Sequence, residues 1–200
     1  MVLIEPLAQP GDDHAVDRDT FRHAFRRHAA AVVVVTYRDA TGMPRGMTAT
    51  SVCALSADPP SLLACIDRAT RTHEEVMHQR SFGVDILSVH QRRISVHCSR
   101  PGADKRLHES WLATDVPPGD PPRLARAVAH MDCVIESALD AFTHTIVVGR
   151  IRSIWLNPAD PEPLVYHDGA YTRLDEHRRP ADRVLSAVDS FGLDIHEDDR

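Results

Sequence analysis

The apolar positions of this chain fall mostly into runs of β-branched and small residues, and only a few segments show helical spacing. Residues 29–37 (A-A-A-V-V-V-V-T-Y) predict a fully buried strand. A turn at 38–42 follows, and the partner strand lies in the stretch 46–67, G-M-T-A-T-S-V-C-A-L-S-A-D-P-P-S-L-L-A-C-I-D. Its first part, 47–56, reads as one extended strand whose side chains are too small to fill space. Asp58-Pro59-Pro60 must turn the chain, because proline lacks the donor that a central strand needs, and 61–67 returns as a second, buried strand. Two readings follow for a small-residue strand edged with hydroxyls. Either a flat, polar-edged ligand approaches it at backbone distance, or it is a core strand with incidental hydroxyls.

Further strands are predicted at 82–87, 127–139 and 143–155, with Phe142 near the turn between the last two. A final hairpin pairs 164–166 with 170–172 across His167-Asp168-Gly169. Helices are predicted from a cap at Asp17 or Asp19 to about residue 27, with Phe21, Ala24, Phe25 and His28 on one side, and over 88–99. Another covers 72–79, where Thr72 and Glu75 have capping-box spacing. Residues 101–120 are irregular, and 115–122 (D-V-P-P-G-D-P-P) is the clearest loop signal. Strands in hairpin order with few helices predict a mainly β fold, an antiparallel β-barrel with flanking helices. The expected organisation is an arm over 1–16, one domain over 17–174 and a charged tail over 175–200. In that tail Val184, Leu185, Val188, Phe191 and Leu193 have the spacing of one short amphipathic helix.

Composition removes several function classes. Acidic residues outnumber basic ones 29 to 23, for a formal charge of -6, and aromatics make up only 5%. Neither a phosphate-backbone footprint nor a base-stacking surface is expected, so no nucleic acid. No apolar run nears the ~20 residues that span a bilayer, so no membrane is expected. Cys53, Cys65, Cys98 and Cys133 form no CxxC, and no signal-peptide pattern precedes them, so reduced, buried thiols in the cytoplasm are expected.

Motifs of catalysis are mostly absent. His73 and His78 sit five apart in H-E-E-V-M-H, roughly 140° round a helix at ~3.6 residues per turn, so they cannot share a metal and read as surface histidines. His97-Cys98 has no second ligand pair, so no metal is expected. No serine stands in G-x-S-x-G, and no two of the nine glycines have G-x-G spacing, which removes Rossmann and P-loop sites.

Six segments together carry a resemblance: G-M-T-A-T-S (46–51), L-S-x-x-P-P (55–60), C-I-D-R-x-T-x-T-H (65–73), F-G-V-D-I-L (82–87), H-T-I-V-V-G-R-I (144–151) and P-L-V-Y-H-D-G-A-Y-T-R-L (163–174). Over about residues 19–174 the chain resembles the flavin reductase family, the NAD(P)H:flavin oxidoreductase components of two-component flavin-dependent monooxygenases. The resemblance implies an FMN-binding split β-barrel of Greek-key type, working as a homodimer. It implies FMN or FAD as the flavin and NADH or NADPH as hydride donor, with hydride passing to flavin N5. Reduced flavin then diffuses to a partner monooxygenase.

The resemblance also implies site residues. Thr48, Ala49, Thr50 and Ser51 lie along the flavin ring edge, where backbone N–H groups favour the reduced ring. Cys65, Ile66, Asp67, Arg68, Thr70, Arg71 and Thr72 turn under the flavin phosphate, with the arginines supplying charge and the threonines hydroxyls at a helix N-terminus. Their alternative reading is a capped helix with solvated arginines. Phe82 backs the flavin or is plain core. Arg106 contacts pyrophosphate or nicotinamide, and His167 and Tyr171 lie near the nicotinamide or the dimer partner. His144 positions the nicotinamide; Phe142-Thr143 stand before it where the family carries Gly-Asp, which opens nicotinamide orientation and the NADH or NADPH preference. A flavin-binding module without turnover, or another split-barrel flavin or haem oxidoreductase, are the alternative functions.

Overall fold

The computed structural model describes residues 16–174. The arm expected over 1–16, apart from Val16, and the tail with its amphipathic helix lie outside them. Strands β1 (Ala30–Ala31), β2 (Val33–Arg38), β3 (Pro44–Ala49), β4 (Val52–Ala57), β5 (Pro60–Asp67), β6 (Ser81–Ile86), β7 (Ala129–Ala141), β8 (His144–Leu156), β9 (Val165–His167) and β10 (Ala170–Thr172) are joined by helices α1 (Arg18–Arg26), α2 (Arg71–Gln79) and α3 (Arg92–Ser99). Seven strands form one antiparallel sheet in the order β3-β2-β6-β7-β8-β5-β4, and β1, β9 and β10 form a small second sheet.

The two edges of the large sheet, β3 and β4, are consecutive in sequence and separated only by Thr50 and Ser51. A sheet whose first and last strands are joined by two residues must curl until its edges meet, which makes a barrel. Residues 47–56 are therefore two strands belonging to opposite edges, rather than the single strand their composition predicts. The break is held by Ser51, whose carbonyl accepts the Cys65 amide at 3.0 Å and whose hydroxyl donates to the Cys65 carbonyl at 3.1 Å.

The run 29–37 is likewise divided. Ala30 and Ala31 pair with β9, Val32 bonds Leu164 and Leu87 through its amide and carbonyl, and Val33 starts the large sheet. Along β2 the side chains alternate between two cores. Val33, Val35 and Tyr37 point into the barrel with Ile66, Phe82 and Val147; Val32 and Val34 face Ile94, Cys98 and Leu107. Burial on both faces explains the unbroken apolar run. Phe82 fits only because its ring lies over Gly149, where a Cβ would stand 2.7 Å from the ring.

Local chemistry sets the helix starts. Asp17 caps α1, accepting the amides of Asp19 and Thr20 at 2.9 Å. Its aromatic residues stay exposed, with the Phe21 and Phe25 rings 4.5 Å apart. Thr70, not Thr72, caps α2: it is extended and its hydroxyl accepts the His73 amide at 3.2 Å. Thr72 is two residues too late, already inside the helix, and is turned inward onto the Tyr37 hydroxyl at 3.2 Å. The hairpin β9–β10 turns through Asp168 and Gly169, both with positive φ, as a two-residue hairpin requires. Among the described residues no helix is long and apolar enough to cross a membrane.

Candidate functional site

A cleft of about 560 Å³ opens where the barrel edges meet. β3 and its exit supply Met47, Thr48, Ala49, Thr50 and Ser51; β5 and the turn after it supply Cys65, Asp67 and Thr70; β8 supplies His144, and the small sheet supplies Tyr166 and Tyr171. Segments distant in sequence thus share one wall because the barrel closes there. Nine of the residues expected at the site line the cleft together: Thr48, Ala49, Thr50, Ser51, Cys65, Asp67, Thr70, His144 and Tyr171.

The others do not. Ile66 and Phe82 have no exposed surface and serve the barrel core, and Thr72 is held against Tyr37. Arg68 pairs with Asp140 at 3.2 Å, and Arg71 lies 3.5 Å from Asp39 and 3.4 Å from Glu75. Arg106 lines a separate hollow with His97, His108 and Trp111. His167 is exposed at the tip of the small hairpin, outside the cleft. Sequence reasoning missed Val32, Met47, Ser99, Pro101, Lys105 and Tyr166. One signal was present for Lys105: it is the only lysine of the chain, all other basic side chains being arginine.

Hydrogen bonding decides what the lining can offer. The Thr48 hydroxyl donates to the Ser95 carbonyl at 2.7 Å, Ser51 to Cys65, and Thr70 to the Asp67 carbonyl at 2.7 Å. These protons are spent on backbone, so the three hydroxyls present lone pairs rather than donors. The free donors lie elsewhere. Gly46 donates its amide off the outer edge of β3, to the Lys105 carbonyl at 3.1 Å. By the two-residue period of a strand, the Thr48 amide points the same way. Among the described residues no acceptor takes it, nor does any take the Thr50 hydroxyl proton.

Across the cleft, His144 is register partner to Asp67 on β5, and its Nδ1 lies 2.9 Å from the Thr143 hydroxyl. Phe142, ahead of it, is 96% exposed with φ 54°. The turn demands a left-handed residue there, a position that suits glycine. His73, expected at the surface, is half-buried, and its Nε2 lies 2.8 Å from the Thr145 hydroxyl, which donates to Asp140 at 2.6 Å. The cysteines also divide. Burial pushes the Cys98 and Cys133 thiols up to about 12, whereas Cys65 is half-buried in the cleft wall. Cys53, expected to be buried, is exposed because β4 is an edge strand.

The lip of the cleft is built of Thr, Ala and Ser, short enough for backbone contact, and an unpaired amide faces outward at Thr48. These features agree with what the chain is similar to. The flavin reductase (NADH) of Kitasatospora aureofaciens is 34% identical over 187 residues, covering 92% of this chain and 97% of that protein. HsaB of Rhodococcus jostii, the reductase subunit of a flavin-dependent monooxygenase, is 29% identical over 161 residues, 80% of each chain. The NADH:FAD oxidoreductase SgcE6 of Streptomyces globisporus, solved with NAD and FAD fragments, superposes with a TM-score of 0.72 at 28% identity, over 81% of this chain and 95% of that one. Residues 25–175 match the flavin reductase like domain, and the chain belongs to that family.

Proposed function

We propose that this chain is an NADH-dependent flavin reductase that supplies free reduced FMN or FAD to a flavin-dependent monooxygenase. The observation that carries this reading is the cleft at the barrel closure, with its short-chained lip and its outward, unpaired Thr48 amide, in a chain matching the flavin reductase like domain over residues 25–175. In that site the nicotinamide gives up a hydride and the flavin ring accepts it at N5. The protein holds and aligns the two rings; alignment alone removes much of such a barrier. The Thr48 amide and the Thr50 hydroxyl donate to the ring edge. Ala49 and Ser51 keep the wall low enough for that approach. His144, steadied through Nδ1 by Thr143, offers Nε2 to the nicotinamide carboxamide. None of these groups needs to gain or lose a proton.

The working unit in this reading is a homodimer. A second, mostly apolar groove of about 770 Å³ runs along β4 and is lined by Val52, Ala54, Leu62, Ile151 and Ile154. Ile154 on its wall is exposed, as are Leu55 on β4 and Leu156 at the end of β8. Thr50 lines both groove and cleft, so a second copy seated in the groove reaches the edge of the active site. Sedimentation of the purified chain gives twice the chain mass if this holds and the chain mass if it does not.

The function itself is tested by steady-state oxidation of NADH and NADPH with FMN and FAD added as substrates. Oxidation that requires added flavin and saturates with it supports the reading, and the rates rank the four pairings. Absence of oxidation with every pairing contradicts it.

A further inference from the structure

His144 is the first residue of β8, and Phe142 and Thr143 ahead of it make the whole turn from β7. Of these two only Phe142 has a positive φ, at 54°, the pattern of a type II′ hairpin whose first turn residue is best a glycine. A residue with a bulky side chain keeps that conformation only where its surroundings impose it. The Phe142 side chain, 96% exposed, adds almost no packing of its own. The turn that carries His144 is therefore strained and has to be fastened from outside.

Arg68 fastens it. Its amide donates to the Thr143 carbonyl at 3.0 Å, its Nη1 to the Phe142 carbonyl at 3.4 Å, and its Nη2 lies 3.2 Å from Asp140 Oδ2. One residue thus takes both carbonyls of the turn and the carboxylate just ahead of it. Each side of this clasp is anchored in turn. Asp140 Oδ1 accepts the buried Thr145 hydroxyl at 2.6 Å, and His73 Nε2 lies 2.8 Å from that hydroxyl. Since the Thr145 proton goes to Asp140, His73 is the donor to Thr145. On the other side the Asp67 carboxylate accepts the Ala69 amide at 2.9 Å, and the Asp67 carbonyl accepts the Thr70 hydroxyl at 2.7 Å. Asp67 is also the register partner of His144, so the clasp acts one residue away from the imidazole. An exposed ion pair alone contributes little; here it is one of three contacts from a single anchored residue.

Resting on the flavin reductase reading and on the place of His144 in it, we infer that Arg68 is a positioning residue for the nicotinamide: by clasping the Phe142-Thr143 turn it sets where the His144 imidazole stands in the cleft. The planar guanidinium suits this task, because its separate N–H groups reach a carbonyl and a carboxylate at once. Its charge is spent on the turn.

The test is a double-mutant cycle in the full chain, read by steady-state NADH oxidation at saturating flavin and by flavin binding. Arg68→Ala is expected to raise the KM for NADH about fivefold, the top of the range for an exposed charged contact. The Kd values for FMN and for riboflavin should both stay within about twofold of the unaltered protein. In a His144→Ala background the same substitution should add nothing, because Arg68 acts only through the imidazole. Adding Phe142→Gly to Arg68→Ala should recover most of the loss, since glycine holds the turn without the clasp. A merely structural role would instead weaken NADH use and flavin binding together, in both backgrounds. That result, an unchanged KM in Arg68→Ala, or no recovery with Phe142→Gly overturns the inference. So does a loss confined to FMN with riboflavin unaffected, which would make Arg68 a phosphate ligand. Unchanged NADH use in His144→Ala alone overturns the assignment of His144 and this inference with it. Absence of NADH oxidation by the unaltered protein would instead overturn the reductase reading.

Discussion

Ser51 and Cys65 hold each other by two hydrogen bonds, the Cys65 amide to the Ser51 carbonyl at 3.0 Å and the Ser51 hydroxyl to the Cys65 carbonyl at 3.1 Å. The pair carries the β4–β5 ladder one residue past Val52 and Ala64, into the corner between β3 and β4, and both residues line the cleft. Barrel closure and site formation are therefore one event. Ser51→Ala removes the hydroxyl bond and keeps the backbone one. It should cost about 1 kcal/mol in urea unfolding and weaken flavin binding by a few-fold, because the lip is less well held. Unchanged stability together with unchanged binding would mean that the corner is held by the backbone alone.

Gly83 on β6 is a second point of tight fit. A Cβ there would stand 2.3 Å from the Thr36 hydroxyl and 2.6 Å from the His130 ring. Both groups surround the fully buried Asp85, whose carboxylate accepts the Leu124 amide at 3.0 Å and lies 3.1 Å from His130 Nδ1. Gly83→Ala should destabilise the fold by about 2–3 kcal/mol through forced displacement of that cluster, read from the denaturant midpoint. A cost under about 0.5 kcal/mol, typical of an open surface site, would show that the cluster gives way freely.

Asp39 ties the β2–β3 turn to α2. The Thr41 hydroxyl bond is the largest cause holding its carboxyl well below the usual carboxylate range; burial opposes it, and Arg45 and the amides of Thr41 and Met43 assist. Because the folded value is the lower one, its stabilisation is present above the ordinary carboxylate pKa and is lost as pH falls below it. Asp39→Asn should cost about 3 kcal/mol near neutral pH, since Arg45 loses a buried partner. The gap to the unaltered protein should narrow as pH falls below about 4. A gap independent of pH would contradict this.

His144 separates nicotinamide use from flavin binding. His144→Ala should raise the KM for NADH about tenfold, the worth of one well-placed hydrogen bond, while flavin affinity measured by fluorescence stays within about twofold. Equal losses in both titrations would make His144 a support of the whole cleft rather than of the nicotinamide.

The barrel was legible because strands written as apolar runs or alternations keep that pattern whatever they pair with. Sheet order was not, since nothing local in T-A-T-S-V-C says that its two halves belong to opposite edges; no glycine or proline marks the break at Thr50 and Ser51. The cap of α2 was misread by two residues because Thr70 and Thr72 are chemically alike and only packing against Tyr37 tells them apart. Cleft residues contributed by backbone position, such as Thr48 to Ser51, could be named in advance. Charges could not: Arg68 and Arg71 read as phosphate ligands until their carboxylate partners were seen, and Arg106 until its separate hollow was.

The most direct test counts flavin reduced per protein. Under anaerobic conditions, a small amount of the chain is mixed with NADH and a large excess of FMN or FAD, and bleaching of the flavin is followed to its end. The account predicts that many equivalents are reduced per chain, at a rate lowered by His144→Ala. Reduction that stops at one equivalent per chain would contradict it, and would make the protein a carrier of bound flavin.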